Sequence, residues 1–191
     1  MHTTFIERAW PASAGSRNLI RLTTIMFAGT LLLTLSAKLH VPFFPVPMTM
    51  QTAVVFLTGL ALGPKLATGT VLLYLAEGAL GLPVFSGTPD RGIGLAYMAG
   101  PTGGYLAGFV VAAWICGLAA KRGSRRLALA FHLIVAALSI YVCGLAWLAT
   151  FTGTANLFAV GVYPFILGDI TKVLLVVVLI ETGVHRPLRR S

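Results

Sequence analysis

Apolar positions fall in six runs along this chain, separated by prolines, glycines and basic residues, and the longer runs predict helices that cross a membrane. The first covers 19–39 and stops before Val41-Pro42-Phe43-Phe44-Pro45-Val46-Pro47, whose three prolines forbid a continuing helix. A second run covers 49–62, and Pro64 opens a third that reaches 79. Both fall short of the roughly 20 residues of a full perpendicular span, so the loops beside them are expected to dip into the protein. The segment 81–104 is expected to be irregular, with glycines at 81, 87, 92, 94, 100, 103 and 104 and prolines at 83, 89 and 101. Such backbone near a membrane must be buried in protein or line a wet cavity. A fourth helix is expected over 102–120, ending in Lys121-Arg122-Gly123-Ser124-Arg125-Arg126, and a fifth over 127–151. Residues 152–162 lead into the sixth, within 163–182.

That sixth run carries Asp169 and Lys172 inside otherwise apolar sequence. With Pro164 opening the helix, where its missing N–H costs nothing, the two lie about a turn inside the boundary and share a face at i,i+3. Ionisable groups within a span are costly, and by default they mark a functional site facing a cavity or the bundle interior. The alternative is a buried ion pair that only fixes helix packing.

Composition narrows the class. Of 191 residues 57% are hydrophobic and only 10% charged, which excludes an ordinary soluble domain and leaves no length for one beside six helices. The fold class expected is an all-α integral membrane protein, a bundle of six transmembrane helices with buried irregular outer loops, forming one domain over 1–191. A net charge of +9 raises nucleic acid as a partner, but the Lys and Arg residues sit in short segments between apolar runs, so membrane topology explains them and no nucleic acid partner is expected. Cys116 and Cys143 lie alone in apolar sequence and are read as packing residues, with no metal spacing. Residues 1–18 are polar and lack an apolar core with a small-residue cleavage site, so no removable signal peptide is expected.

Six helices put both termini on one side of the membrane. Arg8, Arg17, Arg21, Lys65, the four basic residues of 121–126 and Arg186, Arg189 and Arg190 then fall on that side, eleven of the fourteen. The positive-inside rule makes it cytoplasmic, with the 1–18 segment, in a multi-pass cytoplasmic-membrane protein. Lys38 and His40 at the far end of the first helix read as snorkelling residues. The outer side collects Thr49 and Gln51, Tyr74 and Glu77, Arg91, Tyr97 and Tyr105, and the Asp169 and Lys172 pair, around an apolar frame of Phe43, Phe44, Phe85 and Trp147. Hydrogen-bonding groups set in an apolar frame are the makeup of a small-molecule pocket.

The strings PVPMTMQT, GLPVFSG, GPTGGY and PFILGDITK resemble, in order and spacing, the BioY family, the biotin-binding S components of energy-coupling-factor (ECF) vitamin transporters. The resemblance covers the chain from the first helix to the sixth. It implies biotin bound from outside, and transport with a transmembrane coupling subunit and two ATPase subunits. In agreement, the chain has no Gly-x-x-x-x-Gly-Lys-Ser/Thr sequence to cradle nucleotide phosphates. The ureido ring of biotin offers two N–H donors and a carbonyl acceptor, which suit Asp169 and Lys172 respectively, and the valerate carboxylate suits the Arg91 guanidinium. Gln51, Glu77 and Tyr97 complete the polar contacts, with Thr49 and Tyr105 among the site residues and no cofactor. Glu77 departs from the neutral amide expected at such a place: it is protonated, paired with Arg91 or Lys172, or turned elsewhere. Leu32 stands four residues after Ala28, where the family's Ala-x-x-x-Ala face meets the coupling subunit. The chain therefore works with an energy module, or shows some transport alone as a homo-oligomer.

Rivals of other classes fit less well. An intramembrane aspartyl pair needs a second intramembrane Asp, and His132 and Ser139 are about 10 Å apart along their helix, too far for base and nucleophile to meet. A passive channel needs polar groups along a continuous path, and here they cluster near one end.

Overall fold

The computed structural model describes residues 4–11, 15–41, 46–122, 126–180 and 182. Its elements are α1 (Phe5–Ala9), α2 (Ser16–Lys38), β1 (His40–Val41), β2 (Met48–Thr49), α3 (Gln51–Leu62), α4 (Pro64–Ala79), α5 (Gly94–Met98), α6 (Gly103–Arg122), α7 (Arg126–Thr152), α8 (Leu157–Gly161) and α9 (Ile166–Leu179). Phe43, Phe44, Glu181 and the tail arginines Arg186, Arg189 and Arg190 lie outside the described residues.

Among the described residues four helical stretches are long and apolar enough to cross a membrane: Arg17–Lys38, Gly103–Arg122, Leu127–Thr152 and Leu157–Leu179. The expected second and third spans are α3 and α4, with 12 and 16 residues, so length alone does not give six full spans. Gly63, with φ 77°, makes the turn between them, and Pro64 starts α4 at a position that needs no backbone donor. The Pro-rich segment ends in an antiparallel ribbon, with His40 opposite Thr49 and Val41 opposite Met48, a small β element in a chain expected to be all helical. The irregular segment expected over 81–104 contains one short helix, α5.

The last span is broken, and the break matters for the site. Pro164 falls in the turn between α8 and α9 and does not open the helix, because Phe165 N–H donates to Val162 O at 2.9 Å and closes that turn first. Helix α9 begins at Ile166, so Asp169 lies in its first turn and not a turn deeper.

Helix α6 packs against α3, α4 and α7, and its buried side includes Leu106, Phe109, Ala112, Ala113 and Cys116. Association of apolar helices in lipid depends on close packing, which small residues permit. A Cβ built on Gly108 would stand 2.7 Å from Ile140 Cα in α7, and one on Gly117 would run into the backbone N and Cα of Pro64. The other faces turn outward with their apolar residues: Phe27, Leu31 and Leu35 on α2, Phe131, Ile134, Leu138 and Val142 on α7, and Ile170, Leu174 and Val178 on α9 are exposed. Their i,i+3 and i,i+4 spacing makes continuous stripes suited to hydrocarbon. At one end of the bundle the Gly63 turn meets Thr4 and Lys121, whose Cγ2 and Cε lie 2.9 and 3.7 Å from where a Gly63 Cβ would be.

Gly117→Ala must therefore push α6 off the α3–α4 junction. Overpacking costs about 1–3 kcal/mol, more than the ~0.5–1 kcal/mol gained when Gly becomes Ala in a helix. Thermal unfolding in detergent should show Gly117→Ala lower than the parent and Gly69→Ala, whose new methyl would stand 3.5 Å from Met26 Cε, equal or higher. Equal midpoints for the two variants would contradict this packing.

Candidate functional site

A cavity opens where the ribbon, the start of α3, α6, α7 and the start of α9 converge. Its apolar wall is Val46, Leu106, Phe109, Ile140 and Phe165. Of the frame expected from sequence, Phe43 and Phe44 lie outside the described residues, and Phe85 and Trp147 do not line the cavity. Phe85 is buried between two tyrosines, edge-on to Tyr74 at 5.4 Å and stacked on Tyr97 at 5.0 Å, and Trp147 donates its Nε1 hydrogen to Gly100 O at 2.9 Å.

The polar floor is built on Asp169. The residue lies in the first turn of α9, near the end of the broken span. Oδ1 accepts from Lys172 Nζ at 2.8 Å, one turn on, and Oδ2 accepts from the Tyr141 hydroxyl of α7 at 2.5 Å. Lys172 is only 5% exposed, so the pair is held inside the bundle. Gly168 lets Met48 of the ribbon close over this corner, for a Cβ there would stand 2.5 Å from the Met48 sulfur.

Thr49, Gln51 and Tyr105 also line the cavity. Gln51, first residue of α3, is buried and donates from Nε2 to the Tyr74 hydroxyl at 2.8 Å, which donates in turn to Val84 O at 3.0 Å. Thr49 Oγ1 accepts from the Gln51 backbone N–H at 3.2 Å, and the Tyr105 hydroxyl donates to Gly161 O at 2.9 Å, tying α6 to α8.

Three expected site residues do not line the cavity. Glu77 accepts from the Thr30 hydroxyl of α2 at 3.0 Å, which answers the question its charge raised: it is turned toward α2. Tyr97 is buried behind the wall, where its hydroxyl donates to Ser86 O at 2.8 Å. Burial pushes the Tyr97 phenol up from its usual range, so it stays a neutral donor. Arg91 is exposed in the loop before α5, and its side chain lies across Gly87, with Cδ 2.7 Å from where a Cβ would be. Lys38, exposed at the end of α2, is more than an interfacial residue. Its Nζ donates to Phe85 O at 3.0 Å and to Thr88 O and Oγ1, both at 2.9 Å, so the end of α2 grips the loop beside the cavity.

Sequence reasoning missed Tyr141, Ser86, Thr52, Thr102 and Phe165 as lining residues. Ser86, Thr102 and Phe165 stand within the strings GLPVFSG, GPTGGY and PFILGDITK, where the signal was available. Tyr141 has no such string around it, and only its phenol in a long apolar helix could have pointed to it.

An apolar bundle that encloses an ion pair, amide and hydroxyls at the end of a broken helix defines a membrane protein with a small-molecule binding cavity. The chain belongs to the BioY family, whose family model matches residues 8–190. It is 42% identical over 150 residues to the probable biotin transporter BioY of Pyrococcus horikoshii, covering 78% of this chain and 88% of that one. It is also 35% identical over 153 residues to the biotin transporter BioY of Thermotoga maritima, with 75% and 83% covered. Among solved structures, the S-component for biotin from an ECF-type ABC transporter superposes with a TM-score of 0.76 over 94% of this chain and 96% of the other, at 24% identity, a likeness of fold.

If Asp169 and Lys172 depend on each other, Lys172→Met strands a half-buried carboxylate and should destabilise the protein, by less than the ~3–5 kcal/mol of a fully buried pair. Adding Asp169→Asn to that variant should restore much of the loss. Thermal unfolding of the two variants checks this, and a double variant no more stable than Lys172→Met would contradict the pairing.

Proposed function

We propose that this protein binds biotin and serves its uptake across the cell membrane as the substrate-specific S component of an ECF-type transporter. The observation that carries this reading is the Asp169–Lys172 pair in a cavity of otherwise apolar and neutral groups, in a chain of the BioY family. Although both Asp169 oxygens already accept a bond, each retains a lone pair for a ureido N–H, and Gln51 Oε1 offers a further acceptor. Lys172, with hydrogens to spare, suits the ureido carbonyl, while Leu106, Phe109, Ile140 and Phe165 suit the carbons of the bicycle. The valerate carboxylate extends toward the loop that carries Arg91. Thr49 and Tyr105 shape the pocket beside it, and Tyr97 acts from behind through Ser86.

The same reading takes the chain as one domain of six passes, with α3 and α4 as the second and third. At 1.5 Å per residue these reach about 18 and 24 Å, and the ribbon and the loop before α5 complete the thickness. Proximity of Thr4, the Gly63 turn and Lys121 at one end supports placing the N-terminal segment with the α3–α4 turn and the end of α6, and the basic residues of that end make it cytoplasmic by the positive-inside rule; six passes then bring the C-terminus to the same side. The cavity then faces outward. As an S component of the BioY family the chain is a binding subunit and not an enzyme, and ATP hydrolysis belongs to two ATPase subunits acting through a transmembrane coupling subunit.

Mass spectrometry of the detergent-purified protein, from cells grown with biotin, tests the reading. It should release biotin in near-stoichiometric amount, and the purified chain should not hydrolyse ATP. Release of a different small molecule in that amount would overturn the assignment.

A further inference from the structure

Ser86 stands apart from the other polar groups of the cavity. It is 2% exposed, it lines the cavity, and its Oγ is buried with no hydrogen-bond partner among the described residues. Leaving a buried hydroxyl unpaired is costly, and one that lines a cavity has a ligand group as a ready partner. The loop that carries it is fixed on both sides. Tyr97 donates to Ser86 O at 2.8 Å, and Lys38 Nζ donates to Phe85 O and Thr88 O at 3.0 and 2.9 Å. The hydroxyl is therefore held in place before any ligand arrives, the condition under which a single hydrogen bond contributes most to affinity.

Its neighbours indicate the ligand group. The stem of the Arg91 side chain crosses Gly87, the next residue, with Cδ 2.7 Å from where a Cβ would be, so a cationic side chain passes by the corner of the loop that carries the Ser86 hydroxyl. Of the two carboxylates nearest in sequence, Glu77 is engaged by Thr30, and Asp90 lies close enough to Lys38 for their charges to interact. We propose that Ser86 Oγ is a ligand-contacting group, donating its hydrogen bond to the carboxylate at the end of the bound valerate tail, beside Arg91. This rests on biotin as the ligand. A neutral donor next to a guanidinium binds an anion without bringing a second cation into an apolar wall.

Ser86→Ala separates this role from a structural one, because the two predict opposite effects on the free protein. Removing an unpaired buried hydroxyl should leave thermal unfolding of the ligand-free protein unchanged or raise it. Biotin affinity, by titration calorimetry, should fall about tenfold or more, as for a lost bond to a charged acceptor. Biotinamide, nearly the same shape with a neutral acceptor, should lose less than about threefold. Ser86→Cys, close in size and a weak donor, should share the loss for biotin. Wild-type binding with unchanged affinity in Ser86→Ala would overturn the Ser86 assignment alone, and so would equal losses for biotin and biotinamide or a lowered unfolding temperature in both variants. A wild-type protein that does not bind biotin would overturn the function and this inference together.

Discussion

A half-buried carboxylate among apolar helices needs partners, and the cavity end of this protein is arranged around supplying them to Asp169. One partner comes from its own helix, since Lys172 is a single turn away, and the other comes from a different helix, since Tyr141 is 28 residues earlier. The second contact fixes the rotation of α9 against α7 as well as the carboxylate. Removal of either group leaves charge or hydrogen-bonding capacity stranded where the surroundings cannot satisfy it. For that reason the start of α9, and the Gly168 contact with the ribbon, have little freedom.

The opposite wall follows the same logic with uncharged groups. Tyr74 links Gln51 to Val84 O, Tyr97 holds Ser86 O, and Phe85 lies between the two rings. Lys38 uses its three donors on the same loop. Irregular backbone at membrane depth is thereby satisfied internally, as lipid demands, and the cavity keeps a firm edge while remaining mostly apolar. A rigid cavity suits a bicyclic ligand, for which little ordering remains to be done on binding.

Much of this was legible in the chain because membrane helices announce themselves by length and hydrophobicity. The runs at 19–39, 102–120 and 127–151 correspond to α2, α6 and α7 within a few residues. The Asp169 and Lys172 contact was legible because i,i+3 spacing is a local property. What sequence did not reveal depends on distant parts of the chain. Lys38 resembled an interfacial residue because its acceptors, Phe85 and Thr88, lie 47 and 50 residues away. Glu77 and Gln51 were grouped together because both fall at the cavity end of short helices, yet helix rotation sends Glu77 to α2 and Gln51 to the cavity. Pro164 suits the first position of a helix, and the turn closed by Phe165 claimed it instead.

The account stands on Asp169 as the acceptor for the ureido N–H groups. Asp169→Asn keeps the size of the side chain and replaces one acceptor oxygen with a donor, so that a donor faces a donor. Losing a hydrogen bond to a charged partner costs about 1.5–3 kcal/mol, roughly ten- to a hundredfold in affinity. The direct measurement is the equilibrium affinity of the purified, monodisperse variant for biotin against that of the parent protein. The account predicts binding at least about tenfold weaker, whereas near-parental affinity in a variant that folds and remains monodisperse would make the pair a packing device and contradict the account.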